Sequence, residues 1–276
     1  MPLRKQVWLL LGVTLGLAAN AGADPQSDRD AMREFYAKRF SGVPVEAHKD
    51  GAYALDAGSR EQWLELEDFP PYEIDVDNGA ELFSSPFADG KDFSACFEDG
   101  AVRQNYPYFD PQRSTVVTLE MAVNACRVEH GEAEWPYDSA EMAAVVGYIA
   151  YESRGATVNL ATPASVEELA AYNAGKQYYQ SRRGQLNFAC SSCHVQMVGN
   201  KLRAETLSAS VGHITHWPTY RFKWLALGPL HLRFQDCNSQ VGAEPLALQS
   251  ETYRNLEYFL TFMANGLEWN GPSTRK

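Results

Sequence analysis

After its first 23 residues the chain lacks any hydrophobic run long enough to span a bilayer. It is also short of positive charge, with 24 Lys and Arg against 35 Asp and Glu and a net charge of −11. So acidic a chain is a poor candidate for nucleic acid or anionic lipid. No Ser-His-Asp pattern and no phosphate-binding loop is visible. Cysteine is sparse and odd in number: Cys96, Cys126, Cys190, Cys193 and Cys237.

What is present begins with an export signal. Arg4 and Lys5 are followed by an apolar stretch over residues 7–19 and by the small-residue site Ala21-Gly22-Ala23. Residues 1–23 read as a signal peptide, and the mature protein is expected in the periplasm from near Asp24. Losing Arg4 and Lys5 takes its net charge from −11 to −13. The length allows two domains of about 100 residues or more. An odd set of cysteines in an oxidising compartment calls for an explanation.

Part of the explanation is Cys190-Ser191-Ser192-Cys193-His194. In an exported chain, C-x-x-C-H is a c-type haem attachment site. Two thiols three positions apart can bond to the vinyl groups on one porphyrin edge, and the adjacent imidazole then lies under the iron as proximal ligand. A redox dithiol or half of a zinc site is the alternative, and export and the flanking sequence favour haem.

The periodicity predicts a mainly α fold. Residues 24–76 read as an N-terminal arm with a helix over 28–40, expected to pack on the first domain. A first domain is expected over 77–162, with a short helix at 79–83, a helix or strand over 114–126, and a helix over 139–153 capped by Ser139. A second is expected over 163–276. It opens on a helix over 165–183, with Ser165 and Glu168 at capping-box spacing and Gly184 as its stop. It closes on an amphipathic helix over 250–266. The stretch 199–245, rich in Gly, Pro and aromatics, is expected to be irregular.

The two domains read as weak copies of each other. Phe93-Ser94-Ala95-Cys96 resembles Asn187-Phe188-Ala189-Cys190, and this register lays Asp99 and Gly100 on Cys193 and His194. The first copy therefore cannot hold a haem in the usual way. Cys126 follows Cys96 by 30 residues, and Cys237 follows Cys190 by 47. Cys96 and Cys126 are free to join as a disulfide, or they are two unrelated buried thiols.

For the far side of the haem, Met197 is too close to the attachment site and Met263 lies on the apolar stripe of the last helix. Cys237 is the remaining candidate, as an iron ligand or as an inert thiol. From residue 176 to residue 233 eight cations meet one acid, Glu205. Beyond the haem propionates, this excess could draw a small anion or simply form a solvated basic face. Arg233 precedes Cys237 by four residues, which on a helical turn puts guanidinium and sulfur on one side. His213 and His216 could bind a metal, though such histidines more often hydrogen-bond within the fold.

Taken together these segments resemble the SoxA family of bacterial sulfur oxidation. The resemblance is sharpest from Arg182-Arg183-Gly184-Gln185-Leu186-Asn187 through the haem motif, at Pro218-Thr219-Tyr220-Arg221, and from Arg233-Phe234 to Cys237. It implies two cytochrome c-like domains in tandem, only the second holding a haem, since Asp99 and Gly100 depart from the two-haem pattern. One covalently bound haem c is implied, on Cys190 and Cys193, with His194 and Cys237 as iron ligands. Cys237 is implied to be a catalytic persulfide, Arg233 to bind the substrate anion, and Cys96 and Cys126 to be bridged. The implied reaction joins thiosulfate oxidatively to a cysteine of the carrier SoxYZ, with a SoxX-type cytochrome subunit as partner and an external cytochrome c as acceptor. The rival expectation is a periplasmic electron-transfer cytochrome c without its own catalysis, with Met263 on the iron and Cys237 structural.

Overall fold

Most helices begin where a short polar side chain accepts a hydrogen bond from a backbone N–H of the first turn. The computed structural model describes residues 24–276, so the expected signal peptide lies outside the described residues. Asp24 caps α1 (Pro25–Arg39) and Asp56 caps α2 (Ala57–Glu67). Then come α3 (Glu73–Ser84), α4 (Ser94–Phe97), α5 (Leu119–Glu129) capped by Thr118, and α6 (Ala140–Glu152) capped by Ser139. Helix α7 (Val166–Gln180) opens on the expected capping box: Ser165 Oγ accepts from the Glu168 N–H at 3.1 Å, and the Glu168 carboxylate accepts from the Ser165 N–H at 2.9 Å. Two further helices are α8 (Leu230–Gln240) and α9 (Glu251–Met263).

The strands are short. β1 (Tyr108–Asp110) pairs antiparallel with β2 (Thr115–Val117), and β3 (Lys201–Leu202) with β4 (Glu205–Thr206). β5 (Thr219–Arg221) lies between β6 (Ala226–Gly228), antiparallel, and β7 (Ser273–Arg275), parallel.

Two helix pairs organise the molecule, α3 against α6 and α7 against α9. Each pair touches at a glycine. A Cβ at Gly79 would lie 2.2 Å from the Ala144 carbonyl oxygen, and one at Gly175 would lie 2.0 Å from that of Asn255. Each pair closes its own core. Phe83, Phe93, Leu119, Met142 and Ile149 fill the first; Tyr172, Trp217, Leu256, Phe259 and Met263 fill the second. Because backbone faces backbone at Gly175, no rotamer change can make room there. Gly175→Val is expected to cost about 1–3 kcal/mol or more of stability, read as a lower denaturant midpoint; an unchanged midpoint would refute the close crossing.

Some expectations need correction. The arm packs on the first domain only at its end, where Arg154 donates to Tyr72 Oη at 2.5 Å and lies 3.5 Å from Glu67; α1 lies instead on the half that carries the haem motif. Arg39 donates to the carbonyls of Val195 (2.9 Å), Gln196 (3.1 Å) and Val198 (3.1 Å), and Lys176 reaches Asp28 at 2.6 Å. The carbonyls at the end of the motif segment have no helical partner, and Arg39 supplies one. Residues 114–126 are strand and helix in succession, divided at Thr118. The helix expected over 79–83 is the longer α3, and the one expected over 165–183 ends at Gln180. The stretch 199–245 contains α8, which Pro229 and a largely polar surface conceal from the periodicity.

The arm also buries two histidines against this half: His48 is 1% exposed and His216 6%. Burial lowers the pKa of both, and for His216 the Arg275 and Arg221 charges add to the effect. In the unfolded chain both titrate near the ordinary imidazole value of about 6.5. The unfolded state therefore takes up protons first, and stability that is complete above about pH 6.5 is lost as pH falls below it. Denaturant titrations at about pH 7.5 and 5.5 are expected to differ by up to about 1.4 kcal/mol per histidine. Equal stabilities at the two pH values would contradict neutral burial.

Candidate functional site

The haem motif sits on a tight turn of its own. Gly184 and Asn187 take positive φ, +70° and +51°, and the chain then closes into a π-helical turn over Ser192–Gln196. Ser192 Oγ accepts from the Ala189 N–H at 3.1 Å, which fixes the start of the turn. Cys190 and Cys193 are both unpaired and partly buried. Burial pushes the Cys190 thiol up to about 11, with the neighbouring Cys237 adding and Arg183 opposing. Burial raises Cys193 as well.

His194 is oriented by its far nitrogen. Its Nδ1 lies 2.9 Å from the Ser208 carbonyl oxygen and 2.7 Å from His213 Nε2. A carbonyl only accepts, so Nδ1 carries the hydrogen and Nε2 is left with its lone pair, the form that ligates a metal. Burial lowers the His194 pKa to about 4, so the ring stays neutral. The sequence left His213 undecided between metal and an internal hydrogen bond; its Nε2 faces His194 Nδ1.

Helix α8 brings the other half of the site. Cys237 is unpaired and lies near enough to Cys190, Cys193 and Arg233 to influence all three, so these residues share one site. Arg233 makes no hydrogen bond among the described residues. Its nearest carboxylates are at 3.9 Å (Glu205) and 3.7 Å (Asp236), and both have closer partners. Glu205 is 2.9 Å from Arg221, and Asp236 is 2.9 Å from Lys223. Burial works against the Arg233 charge, but Cys237, Glu205 and Asp236 outweigh it and hold its pKa above the ordinary value. Thus Arg233 is charged, four-fifths covered and without a hydrogen-bond partner. The rest of the expected basic excess is largely spent. Lys176, Lys201, Arg221 and Lys223 pair with acids, and Arg183 donates to the Tyr178 carbonyl while stacking on that ring.

Two features were missed by sequence reasoning. Ser208 acts through its backbone carbonyl, which leaves no signature in the letters. Asn238, the neighbour of Cys237, donates to Tyr253 Oη at 2.6 Å and to Tyr178 Oη at 2.9 Å, anchoring α8 beside the motif. Met263, the rival iron ligand, is fully buried in the core, and Met197 is 38% exposed. Cys96 and Cys126 are joined by a disulfide. The odd count of cysteines is thereby resolved: two are bridged and the other three converge on one site.

The donor set fits a c-type haem, with two unpaired thiols at attachment spacing and a neutral imidazole whose ligating nitrogen is left free by its outer partner. The fold and the site define a cytochrome c-type protein. The family described as SoxA/TsdA, cytochrome c domain, matches residues 78–158. The chain is 47% identical over 270 residues to the L-cysteine S-thiosulfotransferase subunit SoxA of Allochromatium vinosum, covering 97% of this chain and 96% of that protein. It is 48% identical to the subunit of the same name from Chlorobaculum tepidum, covering 94% and 92%. A chain in the crystal structure of SoxXA from P. pantotrophus superposes with a TM-score of 0.71 at 29% identity, over 78% of this chain and 84% of that one. The chain belongs to the SoxA family of L-cysteine S-thiosulfotransferase subunits, and it is an enzyme of that kind.

Proposed function

We propose that the mature chain is a periplasmic subunit that joins thiosulfate to a cysteine of a SoxYZ carrier, beside a SoxX-type cytochrome subunit. Its two halves are tandem cytochrome c-like domains meeting near residue 162, and only the second holds a haem. The observation that carries this reading is the pairing on α8 of an unpaired Cys237 with a charged Arg233 that makes no hydrogen bond among the described residues and only loose ion pairs, both beside C-x-x-C-H. A plain electron carrier has no use for a covered guanidinium left open beside a sulfur.

Cys190 and Cys193 would hold the haem covalently, with His194 and Cys237 on the iron. The haem, when bound, supplies an acceptor that takes electrons one at a time and passes them to an external cytochrome c. Arg233 offers paired donors to the sulfonate oxygens of thiosulfate. Cys237, as a thiolate or persulfide, presents a soft sulfur to the outer sulfur of the substrate without needing a general base. His213 and Ser208 keep His194 in one tautomer throughout. The overall conversion is a carrier thiolate plus thiosulfate giving a carrier S-thiosulfonate and two electrons, so sulfur and charge both balance.

Intact-mass analysis of the mature protein, with and without reductant, tests the assignment. One haem and one extra sulfur on the peptide containing Cys237 are the expected result. One haem with an unmodified Cys237, in a sample never exposed to reductant, would move the chain to the plain electron-transfer class.

A further inference from the structure

The bridged sulfurs have neighbours that a structural disulfide does not require. His130 is 6% exposed, and its ring stacks on Phe87 at 5.4 Å and 8°. Its Nε2 lies 3.7 Å from Cys96 Sγ, and its Nδ1 lies 2.8 Å from Asp89 Oδ2. Asp89 is itself held by the Lys91 N–H at 3.0 Å. That bond and His130 keep its pKa below the ordinary carboxylate value. An ionised carboxylate only accepts, so Nδ1 carries a hydrogen and Nε2 faces the sulfurs. Both sulfurs and Nε2 lie within 4.8 Å of one another. A carboxylate holding the far nitrogen of an imidazole is the arrangement found behind a zinc-ligating histidine, and here the near nitrogen faces two sulfurs that could share the metal with it.

The other half of the molecule provides a contrast. Arg183 stands seven residues before Cys190, 3.6 Å from its sulfur, and Val241 stands four after Cys237. At the same offsets from Cys96 and Cys126 stand Asp89 and His130. The copy without the attachment motif thus carries a carboxylate and an imidazole where the other carries an arginine and a valine.

We propose that Cys96, Cys126 and His130 form a latent zinc site, closed while the two cysteines are bridged and opened when a dithiol reduces them. Reduction breaks the Cys96–Cys126 bond with two electrons and turns the dithiol into its own disulfide. The dithiol's two protons pass to solvent as Zn²⁺ takes both thiolates. Tetrahedral zinc, with Zn–S of about 2.3 Å and Zn–N of about 2.0 Å, needs S···N near 3.6 Å and S···S near 3.8 Å. The Cys96 S···N distance already stands at 3.7 Å and all three atoms lie within 4.8 Å, so the main movement is the parting of the sulfurs. Cys126 and His130 sit at the end of one helix, buried, whereas Cys96 is exposed on the four-residue α4 and can give way. Water would take the fourth position.

The test treats the holoprotein with dithiothreitol, adds zinc sulfate, desalts it anaerobically and measures retained zinc. About one zinc per chain is expected after reduction and none before it. Zinc is also expected to raise the melting temperature of the reduced protein and not that of the oxidised one. His130→Ala is expected to lose at least about 10²-fold in affinity, and Asp89→Asn about 10–100-fold. No zinc on the reduced, folded protein would overturn the proposal. So would equal retention by His130→Ala, since the metal would then belong to other thiols such as Cys237. If reduction unfolds the first core, zinc is expected to restore the far-ultraviolet helix signal, and failure to do so is equally decisive against the site.

Discussion

Cys237→Ala is expected to lower kcat for joining thiosulfate to a carrier cysteine by at least about 10³-fold, within the range seen when a covalent nucleophile is removed. The holoprotein should still carry its covalent haem, because Cys190, Cys193 and His194 are untouched. Arg233→Met removes a binding group and leaves the sulfur in place. It should cost about 10–100-fold in kcat/KM, as befits one or two charge-assisted hydrogen bonds of about 1.5–3 kcal/mol. The double variant should be little worse than Cys237→Ala alone, because groups that act as a unit are not additive. Steady-state assays with thiosulfate and the carrier decide the matter. Full activity in Cys237→Ala would place catalysis elsewhere and reduce α8 to a haem-covering helix.

The site was more legible than the fold around it. C-x-x-C-H can be read directly because its spacing is set by covalent chemistry, and the pairing of Arg233 with Cys237 follows from one helical turn. Local rules also worked where a side chain answers its own backbone, as at Ser139 and Ser165. They failed where tertiary contacts decide. Nothing in residues 24–40 tells which half α1 will cover, because Arg39 answers carbonyls more than 150 residues away. The basic excess over residues 176–233 looked like one field for an anion. Folding brings Asp28, Asp56 and Asp236 onto it and leaves Arg233 with only loose ion pairs, 3.9 Å to Glu205 and 3.7 Å to Asp236. A charge count along a chain cannot see acids that arrive from elsewhere.

Arg103→Met is expected to cost about 3–5 kcal/mol of stability, the penalty for leaving a buried charge without its partner. Arg103 is 3% exposed and Glu257 fully buried, and they meet across the two cores at 3.1 Å. Burial works against the Glu257 charge, but the neighbouring His231 and the Arg103 charge prevail and lower its pKa. Glu120 faces the same cluster, where burial and the Glu257 charge raise its pKa. Glu257, whose pKa is lowered, is the member held charged, and it depends on Arg103. His231 Nε2 lies 3.1 Å from the other Glu257 oxygen, while His231 Nδ1 accepts from the Gln249 N–H at 3.2 Å. His231 stands on α8, so the cluster also ties down the helix that carries Arg233 and Cys237. Arg103→Met combined with Glu257→Gln removes both charges and keeps an acceptor for His231; it should recover more than half of the loss. Acid should narrow the deficit of the single variant. An unpartnered Glu257 has a folded pKa above its unfolded one, so proton uptake then favours the folded state. Urea titrations of the holoprotein at about pH 7 and 5 measure all three effects. A single variant within about 1 kcal/mol of the parent would mean that water or His231 already carries the charge, and that α8 is held by Asn238 and its tyrosines instead.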